Sequence, residues 1–401
     1  MNANPRMSVI EDVWVQLFAL LLIISGIFSL HYMLRRDRGI SASPSSQTAA
    51  PASPVSAPLP DDARAAAAQV PAPAAAAPAP KIAGRWVVAA QKGGDVDFTS
   101  LGEALSRAVN GDVIILRPGT YDASLLTSKS LTITGGGVSP DQVILTNSIN
   151  PTFAVGGGWV VMENMTISNT SRANYAALSV YNASLVLRNV KVTSSGYGLR
   201  VQDADLEVSD SELEGVITLS ISGKSKVKLT GVSLTSGLST IKAEGAGAHL
   251  QIESSSIRHG GGVGLEAGKF ASVSMSGTTI SGNRYVGVMI NSGAEVRIAK
   301  SRIEDNRECG AFLTGGGKLI LEQVSLARNK CGVSFAGPGT LEAWNSGFSQ
   351  NSMGAVAIPS SLGDSAVVRG SGNIGLLTPG EKPARSKKRA KAAYEEEESE
   401  E

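Results

Sequence analysis

The chain has 401 residues, enough for two or three domains, and its composition excludes several classes of protein. With 36 basic and 35 acidic residues the net charge is +1, so no overall field attracts nucleic acid or an acidic lipid surface. Two cysteines are too few for a disulfide-stabilised scaffold, and 45 glycines with only 5% aromatic residues suit thin, stacked layers with many turns.

Residues 13–34 follow a short N-terminal segment, 1–12, and predict one transmembrane helix. These 22 residues are long enough to cross a hydrocarbon core of ~30 Å, and the first 18 carry no charge. A cleaved signal peptide is the alternative, but it would begin with basic residues and end in a small-residue cleavage site. Here Glu11 and Asp12 precede the run and RRDR follows it, which favours an uncleaved anchor.

The charges beside this helix bear on its orientation, in what we expect to be a bacterial inner membrane. Three arginines follow the helix, whereas Arg6 and the terminal amine precede it. Because basic residues concentrate on the cytoplasmic side, they favour a cytoplasmic body by one or two charges. An extracytoplasmic body remains the alternative.

Two low-complexity segments enclose the body of the chain. Residues 35–82 begin with the basic flank and continue as an Ala/Pro/Ser-rich linker, with nine prolines between 41 and 80, which predicts an extended, disordered spacer. Residues 379–401 place the basic run RSKKRAK before the acidic run EEEESEE. We expect a solvated, disordered tail, with a basic contact site as the alternative.

The body, residues 83–378, repeats itself. Eight units with short apolar–polar alternations begin 21–24 residues apart, at Ala183, Ala204, Ser225, Gly247, Ala271, Ala294, Lys318 and Thr340. Period-two alternation broken by Gly or Asn indicates half-buried strands, and three short strands fit each unit. Such units bury their inner side chains only by stacking. The sequence therefore predicts an all-β, single-stranded parallel β-helix of about ten coils.

Equivalent residues of the repeat predict two structural features. Asn283, Asn306, Asn329 and Asn351 recur at the turn before one strand, so they are expected to stack as a hydrogen-bonded ladder in which left-handed backbone angles are tolerated. Cys309 and Cys331 precede equivalent glycines one coil apart. Two stacked free thiols are expected, with a disulfide as the alternative.

The start of the body predicts a cap and carries a resemblance. Residues Phe98 to Val109 place apolar side chains on one face, as in a short amphipathic helix that covers the open end of the coils. The segment GDVDFTSLGEALSRAVNGDVIILRPGTY, with the coils behind it, resembles the opening of the right-handed β-helix proteins of the pectin-lyase-like group, pectin methylesterases among them. The resemblance covers residues 86–375 and implies a right-handed β-helix.

The catalytic motifs of those esterases are missing. GTYD stands where GxYxE is expected, and neither DFIFG nor LGRPW occurs. The stretch VQDADL is similar to a QDTL motif and offers Gln202 and Asp203, without the partners that acid–base chemistry requires. We therefore predict no catalytic residue, no metal site and no cofactor.

One outward surface is a candidate for binding. In the strand after the asparagine turn, the outward position includes Arg200, Met289, Phe312 and Val356. Met289 and Phe312 form an apolar patch on an otherwise polar face, which marks a contact site or a place covered by a loop or the tail. The first hypothesis is a membrane-tethered, non-catalytic binding or scaffold module with a protein or polysaccharide partner and no nucleic acid. The alternative is a polysaccharide lyase or esterase, or a polysaccharide-binding module.

Overall fold

The computed structural model describes residues 84–171 and 175–376. The predicted anchor at 13–34, the linker and the tail at 379–401 lie outside these residues. No helix within the described ranges is both long enough and apolar enough to cross a bilayer.

The described chain winds as a parallel β-helix of 31 strands in three sheets, and every strand pairs in parallel with its equivalent in the next coil. The first sheet contains β1 (Arg85–Val88), β2 (Val113–Leu116), β5 (Leu131–Gly135), β8 (Trp159–Asn169), β10 (Ser184–Ser194), β12 (Asp205–Ser209), β14 (Lys226–Thr230), β16 (His249–Glu253), β19 (Ser272–Ser276), β22 (Glu295–Ala299), β25 (Gly317–Glu322), β28 (Gly339–Trp344) and β31 (Ala366–Ser371).

Four long strands bend around a corner of the coil: two run from the first sheet into the second, and two run from the second into the third. The second sheet contains β3 (Gly119–Asp122), β6 (Val143–Asn147), the second halves of β8 and β10, the first halves of β13 (Glu212–Ser222) and β15 (Ser233–Glu244), β17 (Ser256–Arg258), β20 (Thr279–Ser281), β23 (Arg302–Glu304), β26 (Ser325–Ala327) and β29 (Gly347–Ser349). The third sheet contains β4 (Leu125–Thr127), β7 (Phe153–Val155), β9 (Ala176–Tyr181), β11 (Tyr197–Gln202), the second halves of β13 and β15, β18 (Val263–Gly268), β21 (Val288–Ile290), β24 (Cys309–Leu313), β27 (Cys331–Phe335) and β30 (Val356–Ala357).

The coils number about eleven, one more than the repeat predicts. From β10 to β28 the register advances by 21 to 23 residues per coil; Ser184 pairs with Asp205, and Asp205 pairs with Lys226. The first coils are less even, since Leu131 pairs with Val160, and a 3-10 turn at Pro140–Gln142 lies between them. This uneven spacing is why the early coils escape a search for a fixed period.

The core is one continuous column of apolar side chains inside the coils. Alternate strand residues point inward, as in β22, where Val296 and Ile298 are fully buried while Arg297 is exposed. Each inner side chain packs on its equivalents in the coils above and below, so a coil is stable only within the stack. This alternation places every second residue of each strand on an outer surface.

Helix α1 (Leu101–Arg107) covers the N-terminal end of this column, as predicted. Leu101, Ala104 and Leu105 are buried against the first coils. At its C-terminal end the Lys129 ammonium donates to the carbonyls of Leu105, Ser106 and Ala108, at 2.6, 3.1 and 2.8 Å. A cation there satisfies carbonyls that have no partner in the helix and complements the helix dipole.

The asparagine ladder lies buried at the corner between the second and third sheets. The side-chain amide of Asn283 donates to Asn306 Oδ1 at 2.7 Å, and that of Asn306 donates to Asn329 Oδ1 at 3.0 Å. Each Oδ1 atom also accepts a hydrogen bond from the backbone N–H of the asparagine one coil earlier. The last step, from Asn329 to Asn351, measures 3.3 Å. The ladder thus satisfies its buried polar groups along the stack.

The left-handed backbone angle at this corner falls one residue earlier than expected. Asp305, Arg328 and Gln350 have φ between 54° and 57°, whereas the asparagines that follow them do not have positive φ. The residue in the left-handed region turns the chain, and the next side chain then points into the corner. The corner between the first two sheets uses the same arrangement, where Ser211, Ser255, Ser301 and Ser346 accept backbone N–H groups from the preceding coil.

The prediction of two free thiols is wrong, because Cys309 and Cys331 form a disulfide. The two residues are in register on β24 and β27, with a Cα–Cα distance of 4.5 Å. That separation lies at the short end of the range that a disulfide accepts, so neighbouring parallel strands accommodate the bond without displacement.

Candidate functional site

A groove of about 550 Å³ runs along the outer face of the first sheet. It crosses six strands, β8, β10, β12, β14, β16 and β19, and is therefore on the order of 24 Å long. We call it the first-sheet groove and define it by its outward residues Trp159, Ser184, Val186, Asp205, Glu207, Lys226, Lys228, His249, Gln251, Ser272 and Ser274.

One end of the first-sheet groove is apolar. The Trp159 side chain is 47% exposed, although most large apolar residues of the described chain lie in the core. Val186 contributes to the floor beside it and is 9% exposed. An exposed indole next to an apolar floor offers a flat surface on which a ring-shaped ligand group stacks.

The middle of the groove carries opposite charges on neighbouring strands. Asp205 is in register with Lys226, and Glu207 is in register with Lys228. All four side chains are exposed, and none takes part in an ion pair within residues 84–171 and 175–376. These carboxylates and ammonium groups are therefore open to a ligand.

Neutral polar groups continue the groove toward β19. His249 and Gln251 are exposed on β16, and the Gln251 amide donates to the Glu253 carboxylate at 2.6 Å. Ser272 and Ser274 add two hydroxyl groups on the next strand. The groove therefore changes from apolar, through charged, to neutral along the axis of the β-helix.

The groove holds two carboxylates that are close enough to contact one ligand. Asp205 and Glu207 are two residues apart on one strand, about 7 Å between Cα atoms, and both carboxylates face water. Among the described residues no cluster of three or more His, Cys, Asp or Glu side chains is placed to hold a metal ion.

The residues predicted from the QDTL-like stretch lie on the third sheet, away from this groove. The Arg200 guanidinium stacks on the Tyr197 ring at 3.6 Å from its centroid. Gln202 ends β11, and Asp203 has a φ of 50° and accepts the Lys224 backbone N–H at 2.9 Å. Asp203 therefore stabilises a turn, and the two residues do not form a carboxylate–amide pair.

The predicted apolar patch does stack, since Met289 pairs with Phe312 in register. Both side chains are half-buried, so the patch is smaller than an open apolar face. The expected continuation of this outward column at Val356 is wrong, because Ser334 is in register with Ala357. Next to the patch, burial would lower the pKa of Lys242, but the carboxylates of Glu266 and Glu244 outweigh it and raise that pKa.

Sequence reasoning missed the first-sheet groove. Its residues occupy the polar positions of KVKLT and HLQIE, which alternate with buried ones just as in the third-sheet strands. Placing the outward residues of the first strand of each unit side by side would have aligned Asp205, Lys226 and His249. Only the register between the coils brings these positions onto one surface.

Comparison with known proteins agrees with this architecture. Residues 217–371 match the family model described as "Right handed beta helix region", and no curated protein matches the chain in sequence. The fold is a right-handed, pectin-lyase-like β-helix. Among solved structures, pectate lyase Pel9A has a TM-score of 0.51 at 14% identity, over 72% of this chain and 79% of its own.

Two further solved structures are similar to the chain. The Dettilon tailspike protein gp208 has a TM-score of 0.54 at 12% identity, over 66% of this chain and 60% of its own. Pectin methylesterase PemA from Erwinia chrysanthemi has a TM-score of 0.40 at 11% identity, over 55% and 79%. At these identities the likeness concerns the fold.

Proposed function

We propose that this right-handed β-helix is a non-catalytic binding module that takes an extended polysaccharide chain along the first-sheet groove. The proposal rests on the order of chemical groups along the groove. The exposed Trp159 is followed by unpaired carboxylates and ammonium groups, and then by an imidazole, an amide and hydroxyls. A sugar chain presents apolar ring faces and many hydroxyl groups, which match a flat indole and mixed donors and acceptors.

The length of the groove supports a chain ligand. Six strands at ~4.8 Å spacing present equivalent side chains at regular intervals, and a polymer occupies such a surface along its axis. Pectate lyase Pel9A, which shares the fold, is named for pectate, so polysaccharides that carry carboxylates belong in the first screen.

Two alternatives remain as competing proposals. A polysaccharide lyase or esterase would use Asp205 or Glu207 of the groove as its acid or base, because both carboxylates are accessible there. A protein partner would use the third-sheet patch at Met289 and Phe312, because those side chains stack outward. The experiments below separate these alternatives from the polysaccharide module.

We propose further that residues 13–34 tether the module to a membrane, as their hydropathy predicts. The disulfide between Cys309 and Cys331 favours the oxidising, extracytoplasmic side, since such bonds are rare in the cytoplasm. It opposes the orientation expected from the flanking arginines, whose margin is one or two charges. We therefore propose an extracytoplasmic body. Digestion of the body by protease added to intact cells supports this side, and protection until permeabilisation contradicts it.

Retention of the full-length chain on immobilised neutral and acidic polysaccharides tests the binding proposal. Trp159→Ala, and separately Lys226→Ala with Lys228→Ala, should weaken binding to the retained polysaccharide about tenfold, because each removes a contact surface of the groove. Arg369→Ala is the control, an exposed arginine on β31 of the same sheet, four coils beyond the groove. Equal binding by groove and control variants would sink the proposal, as would retention on no polysaccharide.

Product analysis on the retained polysaccharide tests the enzymatic alternative. A binding module leaves the chain length and ester content of the polysaccharide unchanged over days. Cleavage or de-esterification that disappears in Asp205→Asn or Glu207→Gln, with binding intact, would replace the module by the enzyme.

A further inference from the structure

A basic surface covers part of the second sheet and the corner that follows it. We call it the basic corner and define it by six cations, Arg258, Arg284, Arg302, Arg307, Arg328 and Lys330. Three acids lie among them, and all three are already in ion pairs: Arg328 contacts Glu304 and Asp305, and Lys330 contacts Glu308. The excess is three positive charges.

Four arginines of the basic corner are open to a ligand. Arg258, Arg284, Arg302 and Arg307 are exposed and take part in no ion pair within the described ranges. They differ in this from Arg328, whose guanidinium donates to Asp305 Oδ1 and Oδ2 at 2.8 Å each. Guanidinium groups without partners bind carboxylates with two parallel hydrogen bonds.

Backbone hydrogen bonds between coils fix the spacing of the cations in the basic corner. The backbone N–H of Arg307 donates to the Asn283 carbonyl at 3.0 Å, and that of Lys330 donates to the Glu308 carbonyl, so Arg284, Arg307 and Lys330 follow one another in successive coils. The buried asparagine ladder lies directly beneath them. A depression of about 530 Å³, lined by Arg307, Arg328, Lys330 and Gln350 among others, marks the same place.

We propose that the basic corner holds the acidic end of this same chain, residues 395–401. That segment, EEEESEE, contains six glutamates and lies outside the described residues. The preceding run RSKKRAK has the same sign as the corner, so only the acidic end complements it.

The described chain ends close to the basic corner. Ile374 bridges Gly347 of β29, and the Phe348 N–H donates to the Ile374 carbonyl at 2.8 Å, so the chain leaves one coil beyond β29 on the second sheet. Arg307 is about three coils away and Arg284 about four, roughly 14 and 19 Å. Eighteen residues separate Leu376 from Glu395, and a random-coil chain of that length has a root-mean-square end-to-end distance of roughly 24 Å.

Tethering makes weak contacts effective. Each exposed Arg–Glu pair is weak on its own, but a tether of matching length gives the acidic end an effective concentration in the millimolar range. Suppose that the acidic segment as a separate peptide binds the basic corner with a dissociation constant of ~100 μM. The tethered acidic end would then lower the apparent affinity of that peptide about tenfold. Salt should abolish the effect, since the Debye length is only ~10 Å at 0.1 M.

Competition by a labelled peptide of sequence AAYEEEESEE, residues 392–401, tests the proposal at low ionic strength. The full-length chain is compared with a full-length variant in which Glu395, Glu396, Glu397, Glu398, Glu400 and Glu401 are changed to Gln. The variant should bind the peptide at least about fivefold more tightly, because its own tail no longer competes. Adding Arg284→Gln and Arg307→Gln to the variant should abolish binding, whereas adding Arg297→Gln on the first sheet should not.

Three results would overturn the proposal. Equal peptide binding by wild type and the tail variant would mean that the acidic end does not occupy the corner. Binding unaffected by Arg284→Gln and Arg307→Gln would place the peptide elsewhere. Dextran sulfate that binds both chains equally and is not displaced by the peptide would mean that the corner takes external polyanions instead.

Discussion

The buried asparagines show how single side chains hold the stack together. Asn306 accepts from the backbone and side chain of Asn283 and donates to Asn329, so it links three coils. It is 2% exposed, and its partners have no water to replace it. The cost of losing such a residue is the desolvation of the partners left unsatisfied, which exceeds the net gain from forming the bonds.

Asn306→Ala should lower the free energy of unfolding by about 3 kcal/mol, because it leaves the backbone N–H and the side-chain amide of Asn283 without their acceptor and removes one of the two donors to Asn329 Oδ1. Asn291→Ala is the control, since the Asn291 side chain has no hydrogen bond within the described part of the chain. Urea denaturation measures both. Similar losses in the two variants would show that the ladder contributes no more than an ordinary corner residue.

The ion pairs at the same corner affect titration more than stability. Hydrogen bonds from Arg328 hold the pKa of Asp305 below its ordinary value of 3.8. A carboxyl whose pKa is depressed in the folded state contributes stability above its unfolded pKa and loses it as pH falls through the folded pKa. Any contribution therefore disappears below about pH 4, and it is small because the pair is exposed.

Arg328→Met should raise the pKa of Asp305 toward 3.8, because it removes the donors that favour the ionised form. Carboxyl-carbon NMR of the labelled chain measures the titration. Lys330→Met is the control, since it breaks only the neighbouring contact with Glu308. An unchanged Asp305 titration in Arg328→Met would contradict the assignment.

At the scale of elements, α1 closes the N-terminal end of the column and is held there by a residue three strands later in the chain. Lys129 follows β4, yet its ammonium meets three carbonyls at the end of α1. Close by, the buried Asp112 carboxylate accepts from Trp86 Nε1 at 2.7 Å and from the Val109 N–H at 2.8 Å. These contacts attach the cap to the first coils.

Lys129→Met should destabilise the cap by about 1–2 kcal/mol while keeping much of the side-chain volume. Hydrogen exchange should accelerate at the amides of residues 104–108 and stay unchanged in the central coils. Lys92→Met, an exposed lysine without a hydrogen bond in the described residues, is the control. Exchange that is uniform along the chain would argue against a local cap.

The alternation and repeat spacing of the sequence are enough to predict the coils, the cap and the asparagine ladder, because each depends on local periodicity. The position of the left-handed residue and the disulfide were missed, since both depend on backbone geometry at a corner. The first-sheet groove was missed for a further reason. Trp159 and His249 are separated by 90 residues, and only the stacking register brings them to one surface.

At the scale of the whole molecule, the disulfide links two neighbouring coils and favours an oxidising compartment. Cys309 and Cys331 close a loop with a sequence separation of 22 residues, for which restriction of the unfolded chain predicts about 3 kcal/mol of stabilisation.

Peptide mapping should find one linked Cys309–Cys331 species that separates on reduction. Replacing both cysteines with serine should lower the free energy of unfolding by about 3 kcal/mol, and adding reductant to the wild type should reproduce that loss. Free thiols in chain purified from its native compartment without reductant would remove the case for an oxidising environment.

A ligand bound in the first-sheet groove would cover the outer face of the first sheet. Hydroxyl-radical footprinting of the full-length chain, with and without the polysaccharide it retains, locates the covered residues. We expect protection of Trp159, Lys226 and His249, and no protection of Trp344 near the C-terminal end of the same sheet. Protection of Met289 and Phe312 with the groove unchanged would instead place the binding surface on the third sheet.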